Sequence, residues 1–292
     1  MDQSSFVEWT GRYRSYMQMR NYSEKTVLSY VRTIRLFGVY LISQGATFDQ
    51  VGTAGERRLI TGYLSSLSQE HGYCAKTLHR IISTLSSFYR FLYAQGVVTV
   101  NPLTGIDRPK IKCQELRYLK HRQVLKLIES MPGVRDRLIV RMIYATGVRV
   151  SELCGITIEH IDFDDLTIRV QGKGDKIRVV FIDEETCRLM EAYTGDRIFG
   201  PFFVGQQGHP LSPRTVQHLF EVYAPPGVTP HTIRHSYASE LYKRSKNLRV
   251  VQENLGHTSI KTTEIYLHTD LDERRGVYLA YFPLSKQDDG SS

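Results

Sequence analysis

The sequence predicts a mainly α-helical protein with a small antiparallel β-sheet, built as two domains. Three observations predict it. Residues 1–100 place apolar side chains at helical spacing almost throughout. Residues 167–181 alternate instead, on either side of a glycine-containing loop. The 292 residues are close to twice the ~150 that one domain usually holds.

The elements follow in order. Residues 5–19 fit a first helix. Ser23 is placed to cap a second, which runs to about Gln44 and stops at Gly45. Within it, Val27, Tyr30, Val31, Ile34, Phe37 and Leu41 keep to one face. A shorter helix fits 55–70, and a long one runs from Ala75 to Gln95, with Leu78, Ile81, Ile82, Leu85, Phe88 and Leu92 on its apolar side. Residues 1–100 therefore read as a compact four-helix domain, and 101–116 as a linker with prolines and no core of its own. The second domain, 117–285, opens with helices at 120–130 and 134–146, the latter closed by Gly147, and a short one near 150–155. Thr167–Gln171 and Ile177–Phe181 flank Gly172-Lys173-Gly174-Asp175-Lys176 as a hairpin. Helices return at 184–193, 213–223, 230–244, 247–255 and 260–280, before a tail at 286–292 that carries no structural signal.

Charge points to the partner. The chain carries a net +8, with a pI near 9.2, which favours a polyanion such as nucleic acid. Residues 1–112 hold 14 Lys+Arg against 7 Asp+Glu, whereas 113–292 hold 24 against 23, so the excess lies in the first domain. The linker's basic end adds Lys110 and Lys112 as candidate DNA contacts, beside Lys176 and Arg178 in the hairpin. No run of 18 apolar residues is present, and the N-terminus lacks the charged-then-apolar order of a signal peptide. The expected compartment is the cytoplasm. The cysteines 74, 113, 154 and 187 have no metal-knuckle or redox spacing.

Several residues carry chemistry. Thr229 and Pro230 can open a helix whose first turn holds His231, with Arg234 three residues on, so an imidazole and a guanidinium share an anion-attracting helix end. An isolated His-x-x-Arg equally describes a capping histidine beside a surface arginine. Arg149 sits between a helix stop and a helix start, with Glu152 three residues later to orient it; alone, this is also an ordinary surface ion pair. Lys173 lies between two glycines at the hairpin tip, where a lysine can reach a phosphate and give up a proton, and Lys176 competes for that part. His257 follows the helix stop Gly256, and Tyr266 is one of 18 tyrosines. The glycines around Lys173 do not form a nucleotide-binding loop, so no nucleotide cofactor is expected.

Taken in order, the set is more specific than its members. The strings ATGVRVSEL, GKGDKIRVV, TPHTIRHSYAS and LGHTSIKTTEIYLH resemble the tyrosine recombinase (phage integrase) family, and most closely its compact Xer-like members. The segment NYSEKTVLSYVRTIRLF is similar to that family's N-terminal core-binding domain. Ile233 stands where the family usually has Leu, and Phe181-Ile182 where a Pro often follows; both keep the apolar character.

The resemblance implies a helical core-binding domain and a mixed α/β catalytic domain that clamp double-stranded DNA at a specific recombination site. It implies that Tyr266 attacks the scissile phosphate and joins the 3′ end, releasing a 5′-hydroxyl. Arg149, Arg234 and His231 would neutralise the non-bridging oxygens, Lys173 would protonate the leaving oxygen, His257 would hydrogen-bond the phosphate and Glu152 would support the site. No metal or other cofactor is expected. The family's assembly implies a tetramer across two sites, with room for an accessory protein, and a role in chromosome or plasmid dimer resolution. Integration or excision of a mobile element is the alternative within the class. A DNA-binding regulator without catalysis, a metal nuclease built on Asp162, Asp164 and Asp165, and a type IB topoisomerase that shares the tyrosine chemistry are the alternatives outside it.

Overall fold

The computed structural model describes residues 3–51, 57–110, 118–172, 176–205 and 208–256. The chain divides into two compact units, Met1–Gln114 and Glu115–Ser292.

The first unit is helical: α1 Gln3–Met19, α2 Glu24–Ser43, α3 Phe48–Val51, α4 Arg57–Gln69 and α5 Ala75–Ala94. The single turn α3 is an addition to the four helices the sequence predicts, since four residues are too few for a periodicity to show. Ser23 caps α2 by accepting the Thr26 N–H at 3.4 Å. The apolar faces of α2 and α5 meet around Ile34, Phe37, Leu85, Phe88 and Leu92, all at 0% exposure. Tyr13 of α1 stacks into this core 5.3 Å from both Phe88 and Phe91, and its hydroxyl finds Ser87 at 2.8 Å. Burial pushes that phenol up to about 12.

The outer side of α5 is polar. Lys76, Arg80 and Ser83 recur at helical spacing on one face. Arg80 Nη1 donates to Ser29 Oγ of α2 at 3.0 Å, and Arg108 Nη1 to Ser83 Oγ at 3.3 Å. A basic row therefore lies along α5, joined at one side by α2 and at the other by the segment after α5.

The second unit contains α6 His121–Ser130, α7 Val134–Thr146, α8 Val150–Cys154, a 3₁₀ turn Ile158–His160, β1 Ile161–Asp162, β2 Thr167–Gln171, β3 Ile177–Phe181, α9 Glu184–Thr194, α10 Pro213–Tyr223, α11 Pro230–Ser245 and α12 Leu248–Leu255. The short β1 is a strand the sequence did not announce. The sheet is antiparallel in the order β1-β2-β3, with Ile168 opposite Val180 and Val170 opposite Arg178. Ile168, Val170 and Val180 face the core, so Ile177, Val179 and Phe181 point outward. Asp164 and Asp165 belong to the β1–β2 turn and Asp162 ends β1, where its Oδ1 accepts the Asp165 N–H at 2.9 Å.

Helix α7 is the centre of this unit, with Leu138, Ile139, Val140, Met142 and Ile143 all buried between α6, α9 and α11. Its buried end brings Gly147, Arg149 and α8 against α11 and the sheet. Among the described residues, no helix is long and apolar enough to cross a membrane.

Candidate active site

Gly147 ends α7 in the left-handed conformation, at φ 65°. A side chain there would run into the Tyr237 ring. Two residues on, Arg149 is the N-cap of α8, and its backbone N–H donates to Glu152 Oε2 at 2.8 Å. The Arg149 guanidinium turns back on the same carboxylate, with Nη1 2.7 Å from Oε1. The site thus begins with an arginine held at both its backbone and its tip by one glutamate.

Glu152 is a meeting point for more than Arg149. Arg178, on the inward face of β3, places Nη2 2.8 Å from Oε2 and Nη1 3.1 Å from Oε1, a two-pronged grip on the carboxylate. Its Nε donates to the Asn254 carbonyl near the end of α12, at 2.9 Å. Arg234 approaches from α11, with Nη1 3.9 Å from Glu152 Oε2. Burial alone would push the Glu152 carboxyl up; the hydrogen bonds from Arg178 and the Arg149 backbone, with the Arg178 charge, outweigh it and hold the group below its ordinary value. Three guanidiniums therefore share one ionised carboxylate, which leaves positive charge in excess.

Helix α11 supplies the rest. Thr229 caps it, accepting the Thr232 N–H at 3.2 Å, and Pro230 occupies the first position. His231 stands exposed in that first turn, its ring 4.4 Å from the His235 ring at a 73° angle. Arg234 points the other way: 2% exposed, it donates to the Gly147 carbonyl and, through Nη2 at 2.7 Å, to the Leu255 carbonyl. It ties the end of α7 to the end of α12. Gly256, at φ 61°, closes α12, and a Cβ there would stand 3.1 Å from Arg178 Cδ. Beside Arg149 opens a cleft of about 640 Å³, lined by Arg149, Glu152, His160, Arg169 and Gln171.

The sequence profile of the phage integrase family matches residues 117–273, more than half of the chain, and that of the phage integrase N-terminal SAM-like domain matches 11–96. The chain belongs to the phage integrase family. It is 34% identical to the tyrosine recombinase XerC of Thermodesulfovibrio yellowstonii, over 79% of this chain and 83% of that one. It is 31% identical to the tyrosine recombinase XerC of Bacillus subtilis, over 92% of this chain and 94% of that one. Its fold is similar to that of a lambda integrase dimer bound to a COC′ core site, with a TM-score of 0.71 and 23% identity over 89% of this chain and 76% of that one. This family member is a DNA strand-transferring enzyme, and its activity is Xer-like site-specific recombination.

Of the recombinase's sequence-chosen site residues, the structure brings together Arg149, Glu152 and Arg234, and sets His231 at the exposed start of the same helix as Arg234. Lys110 and Lys176 are exposed. Lys112, Lys173, His257, Tyr266 and the helix at 260–280 lie outside the described residues. One expectation changes. Arg178, chosen as a DNA contact, has its guanidinium 13% exposed and engaged with Glu152 and Asn254, so it belongs to the site's framework rather than to a DNA-facing surface. Its signal was present in the strand pattern: it shares the inward face of β3 with Val180, and a charge there needs an internal partner. Asn254 and Tyr237, joined by a 3.1 Å hydrogen bond, carried no signal in the sequence. Among the described residues, no three His, Cys, Asp or Glu side chains are grouped so as to hold a metal ion.

Proposed function

We propose that this recombinase cuts and rejoins double-stranded DNA at a specific site through a 3′-phosphotyrosyl intermediate on Tyr266. The observation that carries the reading is the charge around Glu152, where Arg149, Arg178 and Arg234 converge on one carboxylate beside an open cleft. A phosphodiester resists attack because its negative charge repels nucleophiles, and that charge grows in the transition state. Half-buried Arg149 and exposed His231 are the donors for the non-bridging oxygens, and Arg234 adds its charge from within. Losing one such donor costs about 10²–10³ in rate. Glu152 keeps Arg149 aimed. Lys173 protonates the leaving 5′-oxygen, and His257 hydrogen-bonds the phosphate. The phosphotyrosine conserves the energy of the cut bond, so rejoining needs no ATP.

In this reading residues 1–100 are the core-binding domain, 101–116 the linker and 117–285 the catalytic domain of a clamp around the duplex. Phosphate contacts come from Lys76 and Arg80 on α5 and from Arg108 beside it, with Lys110, Lys112 and Lys176. The enzyme works in the cytoplasm as a tetramer across two sites, with room for an accessory protein, and resolves chromosome or plasmid dimers.

The test is covalent trapping in cells. Wild type and Tyr266→Phe are denatured in place, and DNA still attached to protein is recovered and sequenced. DNA from wild type alone, at one or a few replicon sites, is the expected result. Attached DNA from Tyr266→Phe moves the nucleophile elsewhere, and sites at the ends of a mobile element replace dimer resolution with integration or excision.

A further inference from the structure

The Arg178–Glu152 pair sits where three parts of the site meet. Gly172 is the residue before the hairpin loop that carries Lys173, and a Cβ on it would lie 3.5 Å from Arg178 Nη1 and 3.6 Å from Glu152 Oε1. The Gly172 N–H donates to the Lys176 carbonyl at 2.8 Å, which closes the base of that loop. The pair is therefore packed directly under the root of the hairpin. The same guanidinium grips both oxygens of Glu152, which holds Arg149, and bonds the Asn254 carbonyl near the end of α12. With side chains 13% and 3% exposed, both partners are held within packed surroundings. A strand pair without such a fastening is held at its loop end by a few backbone hydrogen bonds alone, and loop ends are where strands fray.

We propose that Arg178 is the positioning residue for the general acid: it fastens the root of the β2–β3 hairpin to Glu152 and to α12, so that Lys173 is delivered to the phosphate that Arg149 holds. The proposal rests on the reading of Lys173 as acid and Tyr266 as nucleophile. The fastening needs the planar fork of arginine, because three N–H directions are used on two partners and a lysine ammonium cannot reproduce them.

The experiment compares two nicked DNA substrates, one with the ordinary phosphodiester and one with sulfur in the 5′-bridging position, whose thiolate leaves without a proton. Wild type, Arg178→Met and Lys173→Ala are each assayed for adduct formation and for DNA binding. Arg178→Met is expected to bind DNA within about twofold of wild type and to form adduct about 10²-fold more slowly on the ordinary substrate, the scale of a misplaced catalytic group. On the sulfur substrate most of that loss should disappear. An equal loss on both substrates, or no loss on either, overturns the proposal: Arg178 would then serve Arg149 alone or only the fold. Lys173→Ala separates the two levels. If the sulfur substrate rescues it and not Arg178→Met, the positioning role fails while the acid assignment stands; if Lys173→Ala is not rescued, the acid assignment itself has failed and this inference falls with it. Should Arg178→Met lose DNA binding, the same comparison with Arg178→Lys decides, with a smaller defect of the same kind expected.

Discussion

At the scale of single residues, the chemistry turns on Glu152. A carboxylate 3% exposed is costly to ionise, and it stays ionised because Arg178 and Arg149 compensate for the lost water. Its folded pKa lies below the ordinary value. The stability it contributes is thus complete above the unfolded pKa and is lost as pH falls through the folded one. Glu152→Gln removes the charge while keeping the shape, and leaves three arginines facing one another. At neutral pH it is expected to lower stability by about 3 kcal/mol, as for a broken buried pair. The gap to wild type should begin to narrow as pH falls below the ordinary carboxylate range, and close as it passes through the lower folded value. Melting temperatures of both proteins across that range check this; parallel curves at every pH would mean that the charge does not hold the site. Part of this was legible in the sequence. Arg149 and Glu152 stand three residues apart across a helix start, which brings their side chains together by local geometry. Arg178 and Arg234 were legible only as residue types, because their partners are carbonyls and a carboxylate far along the chain: Gly147 is 87 residues from Arg234, and Asn254 is 76 from Arg178.

At the scale of elements, the site is assembled from ends. The C-terminus of α7, the N-terminus of α8, the first turns of α11 and the end of α12 converge, and backbone carbonyls at the ends of α7 and α12 become the acceptors for arginines. Gly147 shows what this demands. Its left-handed backbone turns the chain toward Arg149, and its bare Cα lets Tyr237 pack against it while its carbonyl receives Arg234. Gly147→Ala meets both the backbone strain and the Tyr237 ring, and should destabilise the second unit by about 2–4 kcal/mol. It should also slow adduct formation on a nicked substrate more than it weakens DNA binding. A stable, fully active Gly147→Ala protein would show that the close approach of α7 and α11 is dispensable. The described helices of more than one turn and the two longer strands were readable because caps, stops and periodicity are local signals. The short strand β1 and the turn α3 were not, since two and four residues hold no period. The orientation of β3 went against simple hydropathy: Ile177 is 70% exposed and Phe181 62%, because the register with β2 gives the inward face to Val180 and Arg178.

At the scale of the whole molecule, the surplus of basic residues and the proposed chemistry fall in different units. Residues 1–112 hold twice as many Lys+Arg as Asp+Glu, while the second unit is nearly balanced and sets Arg149, Arg178 and Arg234 around Glu152. If affinity resides in the first unit and reaction in the second, the two properties separate by mutation. Arg80 is the test residue, since it sits in the middle of the basic row on α5 and donates to Ser29 within the first unit. Each neutralised phosphate contributes about 0.9 to the slope of log affinity against log salt. Arg80→Ala should therefore weaken binding to specific and unrelated duplexes alike and reduce that slope by about one contact's worth. Once bound at low salt, it should form the Tyr266 adduct at the wild-type rate. Titrations at several salt concentrations, with adduct formation followed at saturating protein, measure both. An unchanged slope removes the α5 row from the phosphate contacts. A reduced adduct rate at saturation would mean that the first unit does more than hold DNA, because a pure binding loss vanishes once every site is filled.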